Sequence, residues 1–485
     1  MASVSRRRAR PLTAVEAGRG DWDLVVIGAG SAGLVGARTA AVLGARVLLI
    51  EADGFGGECL FTGCVPSKAL IAAADAAQDA RDAGRLGIHA GDVRVDFAAV
   101  MAHVKGAIAA IAPVDSPETL AETGVYTLRG RARFDGPRSL VVEGVGIRFR
   151  DALVATGSAP VVPEGVDVLT NETLWDLEEL PETLLVLGGG AIGCEMAQAF
   201  ARLGSRVTLV HRGDRLLPKE DPAASALVLS ALRADGVEVR LGTTLSGAER
   251  EHGRTTARLD DGTTAVADRV LAALGRRVDT TGLGLDAAGV DLDASGAIAV
   301  DRTLATSNPR VRAAGDVTPL PRFTHTAGMF GSVAATNAVL GLSRRVRLDD
   351  VPRVTFTSPE VAAVGVSTAD AATRGLRVVE TAHHDLDRAI AEGRTDGFTR
   401  LAVDRKGRVV GATIVGPRAG ESLGELSTAV SRGLTVRDVA GVLHAYPTYS
   451  DAGWNAAVRD AQGALRAGIV AAAIRLLRRV RRRRG

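Results

Sequence analysis

Asp21-Trp22-Asp23-Leu24-Val25-Val26-Ile27 runs without a break into Gly28-Ala29-Gly30-Ser31-Ala32-Gly33. The first seven residues predict a short buried strand, and the Ala-rich residues to about Leu43 predict a helix. A second strand, Arg46-Val47-Leu48-Leu49-Ile50, closes on an acid, Glu51. Strand, glycine turn, helix, strand and acid in that order form a dinucleotide-binding unit. Gly28 permits the tight turn, Gly30 lets a pyrophosphate approach the backbone, and Gly33 allows close helix packing. The helix start then offers free N–H groups and the positive end of its dipole to the phosphates.

The unit occurs twice. Thr183-Leu184-Leu185-Val186-Leu187 leads into Gly188-Gly189-Gly190-Ala191-Ile192-Gly193, then a helix, then the strand Ser205 to Val210. Gly28 to Glu51 is 23 positions, and Gly188 to His211 is 23 again. Glu51 can accept the hydrogen bonds of an adenosine ribose, so the first unit suits FAD or NAD. The second unit has His211 in that place, with Arg212 and Arg215 nearby, and these basic groups suit the 2′-phosphate of NADP. NADPH is therefore expected, with NADH as the alternative.

Further strands are expected at Val237 to Leu241, Arg269 to Ala273 and Arg312 to Val317, the last closing on Asp316. A fresh α+β segment begins near Val351, with strands at Phe398 to Val403 and Arg408 to Val415. A length of 485 residues suggests about three domains. Hydrophobic residues at 46% and charged residues at 24% exclude disorder, collagen and disulfide-rich secreted classes. The formal charge of +3 hides an asymmetry: the last 25 residues carry eight Arg and the first ten carry four, neither with an acid. Without those twelve charges the body stands at −9, which argues against a nucleic-acid-binding face. No run of about 18 apolar residues suggests a membrane span. No apolar stretch follows Arg10 before Asp21, so a solvated N-terminal arm is expected rather than a signal peptide.

Only three cysteines occur, and Cys59 and Cys64 sit five apart in Gly56-Gly57-Glu58-Cys59-Leu60-Phe61-Thr62-Gly63-Cys64-Val65-Pro66-Ser67-Lys68. Such a pair is redox-active or metal-binding. The spacing allows a disulfide at the start of the following helix, whose N-terminus stabilises a Cys64 thiolate. Zinc lacks a second cysteine pair or a histidine cluster, and no metal site is expected. Cys194 is expected as a small packed residue.

From about residue 21 to 460 the chain resembles the flavin-dependent pyridine nucleotide–disulfide oxidoreductases, the family of dihydrolipoamide dehydrogenase, glutathione reductase and mercuric reductase. The resemblance rests on both glycine turns, the cysteine segment, Ala155-Thr156-Gly157, Leu274-Gly275-Arg276, Ala314-Gly315-Asp316, Phe356-Thr357-Ser358-Pro359-Glu360 and Tyr446-Pro447-Thr448, in this order. It implies an α/β fold with two Rossmann-like domains, for FAD and NAD(P), and a C-terminal α+β dimerisation domain. The implied division is a basic arm at 1–20, FAD-binding segments at 21–170 and 291–350, and an NAD(P)-binding domain at 171–290. An interface domain at 351–464 and an Arg-rich tail at 465–485 follow. Electrons would pass from NADPH through FAD to a Cys59–Cys64 disulfide, with Cys64 against the flavin and Cys59 as the exposed thiol that meets substrate. Lys68 would approach the flavin and pair with Glu195. Asp316 would bind the ribityl or phosphate region, with Gly57, Thr156, Gly157, Gly275 and Ala327 also lining the cofactor sites. A homodimer is implied, with Tyr446 and Asp451 of one subunit facing Cys59 of the other.

The C-terminal motif departs from disulfide-reducing members, which carry a His before the Pro and a paired Glu. Here those places hold Tyr446 and Asp451. A phenol with a pKa of about 10 is a poor general acid/base near neutrality. His444, two positions upstream, is the substitute to consider, against a plain structural role. The Tyr is similar to mercuric reductase, but the C-terminal cysteine pair of that enzyme is absent. A metal ion or small oxidant is the expected acceptor. A quinone reductase using flavin directly, a dihydrolipoamide-dehydrogenase-like disulfide reductase and a membrane-docked redox sensor are the alternatives. The tail reads as an amphipathic helix: Leu465, Ile469, Val470, Ile474, Leu476, Leu477 and Val480 share one half of the wheel, opposite Arg475, Arg478, Arg479 and Arg482. An anionic membrane surface or docking on the chain itself would each satisfy it. The cytoplasm is the expected location, with the inner membrane face as the variant that the tail suggests.

Overall fold

A computed structural model describes residues 9–371, 373–465 and 468–483. Arg6, Arg7 and Arg8 of the expected arm, and Arg484 of the tail, lie outside the described residues. The first glycine turn joins β1 (Trp22–Ile27) to α1 (Ser31–Val42), which returns to β2 (Val47–Glu51). The cysteine segment follows as α2 (Gly57–Phe61) and α3 (Cys64–Asp82), and β3 (Val125–Arg129) and β4 (Val145–Val154) complete the sheet core. These four strands are parallel in the order β3-β2-β1-β4. Leu24, Val25, Val26, Leu48 and Leu49 are wholly buried, the continuous apolar reading of strands covered on both faces.

The second unit repeats the plan. β5 (Thr183–Leu187), α4 (Ala191–Leu203), β6 (Arg206–His211) and β7 (Arg269–Ala272) are joined by the strand Glu238–Leu241, in the parallel order Glu238–Leu241, β6, β5, β7. The chain then returns to the first sheet through β8 (Val311–Ala313), which pairs with β4, and α5 (Thr324–Leu340). β8 is shorter than the expected strand to Val317, because Gly315 turns at φ +81° and carries Asp316 out of the sheet. The last unit is a five-stranded antiparallel sheet with α6 (Asp387–Glu392), α7 (Asp451–Leu465) and α8 (Gly468–Arg482).

Two expectations need correction. Residues 11–18 are not a solvated arm: Pro11–Leu12 pairs in parallel with β3, and the helix Ala14–Gly18 buries Ala14 and Ala17 against the sheet. Thr13 caps that helix reciprocally with Glu16, a local signature that marks an ordered start. The helical stretches 57–86 and 97–122 are long and apolar enough, by length and composition, to cross a bilayer. The first breaks at Thr62–Gly63 between α2 and α3 and carries Lys68, Asp75 and Arg81. Leu70 and Ala74 of that stretch, and Met101 and Val104 of the second, pack in one core with Phe200 of α4 and Val361 and Val415 of the last sheet.

Candidate redox site

The two glycine turns are the same object built twice. Gly28 (φ +99°) and Gly188 (φ +112°) hold a conformation that L side chains rarely adopt, and a Cβ on either would lie 2.5 or 2.3 Å from the carbonyl oxygen of Ala155 or Ala273. A Cβ on Gly33 or Gly193 would meet the Gly28 or Gly188 oxygen at 1.8 Å, which keeps helix and turn in contact. Gly30 and Gly190 face open space. In the first unit the Glu51 carboxylate accepts from the N–H of Ala29 at 2.5 Å and from that of Asp53 at 2.8 Å. Four lone-pair sites leave it capacity for ribose hydroxyls. A cavity of about 360 Å³ opens there, lined by Gly28, Glu51, Asp53, Thr156 and Gly157. These residues fit the nucleotide end of FAD.

The second unit departs from expectation at His211. Its Nδ1 accepts from the N–H of Gly189 at 3.2 Å, the bond that Glu51 makes in the first copy, and its Nε2 is buried against Gly213. Burial and the Arg212 charge push its pKa down, so the imidazole is neutral and turned into the glycine turn. His211 is therefore not a cation for a 2′-phosphate. Arg212 is exposed, and Arg215 donates to the Pro218 carbonyl at 2.8 Å.

The cysteine segment rests on the first turn: a Cβ on Gly57 would lie 2.5 Å from Gly30 Cα. Cys59 sits inside α2 and Cys64 opens α3, both with free thiols. Cys64, at the helix end, is the more exposed of the two, while Cys59 is tucked beneath Gly63, where a Cβ would approach Cys59 Cα at 3.3 Å. The Cys64 thiol is held down at about 6, chiefly because Cys59 donates a hydrogen bond to its thiolate. Burial opposes this, and the Thr324 hydroxyl at 3.2 Å and the Lys68 ammonium favour it. The same bond, with burial, pushes Cys59 up. One thiolate and one thiol is the resulting state.

Lys68, one turn into α3, places its ammonium 3.0 Å from Glu195 Oε2 and 4.1 Å from the Phe356 ring centre. Glu195 is buried on α4, and its Oε1 accepts from the Phe356 N–H at 2.9 Å. The expected pair is thus present and ties three parts of the chain together. Sequence reasoning missed a second tie. Arg276 grips Glu58 with two N–H groups at 2.6 and 2.5 Å, donates to Ser158 Oγ at 2.7 Å, and lies 3.5 Å from Asp316. Burial pushes the Glu58 carboxyl up and Arg276 opposes it; the two-pronged contact is the geometry of an ionised carboxylate. Asp316 also accepts from Ser158 Oγ at 3.1 Å, and Gly315 packs against Ala327 at the start of α5. Gly275 precedes Arg276 at φ +114°.

Tyr446 is 73% exposed, precedes a cis proline, and donates its hydroxyl to Asp387 of α6. That bond raises its pKa and keeps the phenol protonated. Asp451 does not meet Tyr446; it is buried and accepts from the Thr448 N–H at 2.8 Å. His444 is committed elsewhere: Nε2 lies 2.8 Å from Glu425 and Nδ1 3.0 Å from the Val442 carbonyl oxygen. Cys194 is wholly buried in the core.

Comparison with known proteins places this geometry. Residues 22–331 match the pyridine nucleotide-disulphide oxidoreductase family and residues 351–457 its dimerisation domain, which supports a homodimer. The chain is 38% identical over 448 residues to a mercuric reductase of Streptomyces lividans, covering 89% of this chain and 94% of that protein. It is 35% identical over 451 residues to a dihydrolipoyl dehydrogenase of Geobacillus stearothermophilus, covering 90% and 96%. Among solved structures, LpdA of Mycobacterium tuberculosis superimposes with a TM-score of 0.84 at 30% identity over 90% of this chain and 99% of that one. A Cu(II) complex of the flavoprotein disulfide reductase RclA of Escherichia coli does so with 0.80 at 26%, with the same coverage.

Proposed function

The chain belongs to the pyridine nucleotide-disulphide oxidoreductase family, and on that premise we propose that it moves an electron pair from NADPH, by way of FAD and Cys59–Cys64, to a thiophilic or redox-active metal ion or another small oxidant. Family members bind FAD and use NAD(P)H. Bound FAD supplies a two-electron relay between nicotinamide and sulfur. The chain's own groups supply the rest. Gly28 to Gly33 and Glu51 hold the FAD nucleotide, and Arg212 and Arg215 favour NADPH over NADH. Cys59 retains the proton and donates it in the hydrogen bond that chiefly keeps Cys64 as a thiolate, and Lys68, fixed by Glu195, adds to this. A soft divalent ion bound by the pair displaces the Cys59 proton to solvent and gains two electrons as both sulfurs join in a disulfide, and the hydride equivalent of NADPH restores one thiol and one thiolate.

The observation that carries this reading is the C-terminal loop. A phenol bound to Asp387 stands where disulfide reductases place an imidazole, and the neighbouring His444 is held by Glu425. The loop has no side chain free to shuttle a proton near neutral pH. The mercuric reductase relatives and the Cu(II)-bound neighbour add support for a metal-ion acceptor. We place the enzyme in the cytoplasm, where thiols are kept reduced.

The test is NADPH oxidation by wild type and Cys59→Ser with Hg(II), Cu(II), menadione and lipoamide as acceptors. The reading predicts metal-dependent turnover that falls by a factor on the order of 10² or more in Cys59→Ser, and little lipoamide reduction. Equal menadione turnover in both proteins with none for metals would assign the flavin-direct quinone reductase instead. Efficient lipoamide reduction would assign the disulfide reductase.

A further inference from the structure

The C-terminal helix α8 is amphipathic in the wrong sense for a helix docked on its own fold. It meets α7, and among its described side chains the one it buries is Ala471, at 6% exposure. Three of its large apolar groups point away, Leu476 at 62% exposure, Leu477 at 68% and Val480 at 40%, while Ile474 is half-buried. Arg475, Arg478, Arg479 and Arg482 occupy the opposite side, and among the described residues none of them forms an ion pair. Elsewhere in the chain arginines pair freely, as Arg276, Arg377 and Arg400 do. The side chains of Ile469 and Val470 lie outside the described residues.

We infer that α8 lies in the headgroup layer of an anionic bilayer and holds this enzyme at the membrane surface. Leucine and valine side chains in contact with water, beside a row of unpaired guanidinium groups, match an interface that is apolar on one side and negatively charged on the other. A duplex would neutralise the arginines but leave Leu476 and Leu477 in water. A second α8 would cover the leucines but bring two strongly cationic helices together. The acidic body, at −9, is repelled by the same surface, so the contact is confined to the tail and the rest of the enzyme stays in water.

The experiment is co-sedimentation of the full-length, FAD-loaded enzyme with vesicles of phosphatidylcholine and phosphatidylglycerol, against phosphatidylcholine alone. Wild type should pellet with the anionic vesicles and be released by salt. Leu476→Asp with Leu477→Asp, which keeps every arginine, should stay in the supernatant. Arg478→Gln, Arg479→Gln and Arg482→Gln together should weaken partition on the order of 100-fold, at about fivefold per arginine. Flavin absorbance and NADPH turnover with a soluble acceptor should be unchanged in both variants, which shows that they are folded. Pelleting that survives the leucine changes overturns the inference, as does wild type that ignores anionic vesicles. So does a tail that binds a DNA fragment but not vesicles, or whose leucine changes alter only the oligomeric mass.

Discussion

Cys64 owes its acidity to neighbours, since burial alone would raise it. The Cys59 hydrogen bond contributes most, with Thr324 and Lys68 adding to it. Because the thiolate is the nucleophile, reactivity is present above the thiol pKa and lost as pH falls through it. Alkylation of the reduced protein by iodoacetamide should therefore rise as pH crosses about 6, below the ordinary thiol value of about 8.5. Lys68→Met should move the rise upward; a wild-type rise centred on the ordinary value contradicts the assignment. Tyr446 makes the opposite case, a group kept inert by Asp387. Tyr446→Phe should change metal-ion turnover by less than about threefold, while Tyr446→His should raise lipoamide reduction on the order of 10²-fold, the low end for an added general acid/base. Steady-state rates of the two variants decide it, and a collapse of metal-ion turnover in Tyr446→Phe would give the phenol a chemical role. Asp387 could not be read from the sequence, because 59 residues separate it from Tyr446 and no spacing rule links them. The replacement of an imidazole by Tyr446 was legible at once, since it stands beside Pro447 inside a motif.

Among the elements, α3 connects the two nucleotide units. Its Lys68 meets Glu195 of α4, and its apolar side packs on Phe200. Removing Lys68 leaves a buried carboxylate with, among the described residues, the Phe356 N–H as its one hydrogen-bond partner. Breaking a buried pair costs about 3–5 kcal/mol, and the partial exposure of Lys68 lowers the expectation to about 1–3 kcal/mol. Urea unfolding of Lys68→Ala should show that loss, and adding Glu195→Gln should restore much of it. Equal loss in the double variant would mean that packing, not charge, is at stake. Elements with local periodicity were legible: β1, α1, β2 and their second copies lie within a residue or two of expectation, because buried parallel strands read as unbroken apolar runs. The segment 11–18 was not, because a two-residue strand has no period and basic residues precede it. β8 was drawn too long because Ala313-Ala314-Gly315 continues an apolar run that only the backbone of Gly315 ends. The Glu58–Arg276 grip was hidden for another reason: it spans 218 positions, and only folding brings them together.

At the scale of the molecule, one core runs through α3, α4 and the antiparallel sheet, so the redox segment, the second nucleotide unit and the interface unit share packing. The interface unit carries a buried histidine with a pH signature. His383 is 1% exposed, and burial pushes its pKa down to about 4. An unfolded imidazole binds its proton near 6.5, so folded stability is lost as pH falls from about 6.5 towards 4, by on the order of 3 kcal/mol in all. Thermal melting of wild type and His383→Gln across that window should show the steeper fall in wild type; parallel curves would remove His383 from the acid response. The central claim concerns the path of electrons, and an anaerobic NADPH titration of the purified holoenzyme, followed in the visible spectrum, tests it most directly. The account predicts uptake of two electrons with a new long-wavelength band from the Cys64 thiolate against oxidised flavin, absent in Cys64→Ser. Bleaching of the flavin by the first two electrons, with no such band in wild type, would contradict it and take the cysteine pair out of the circuit.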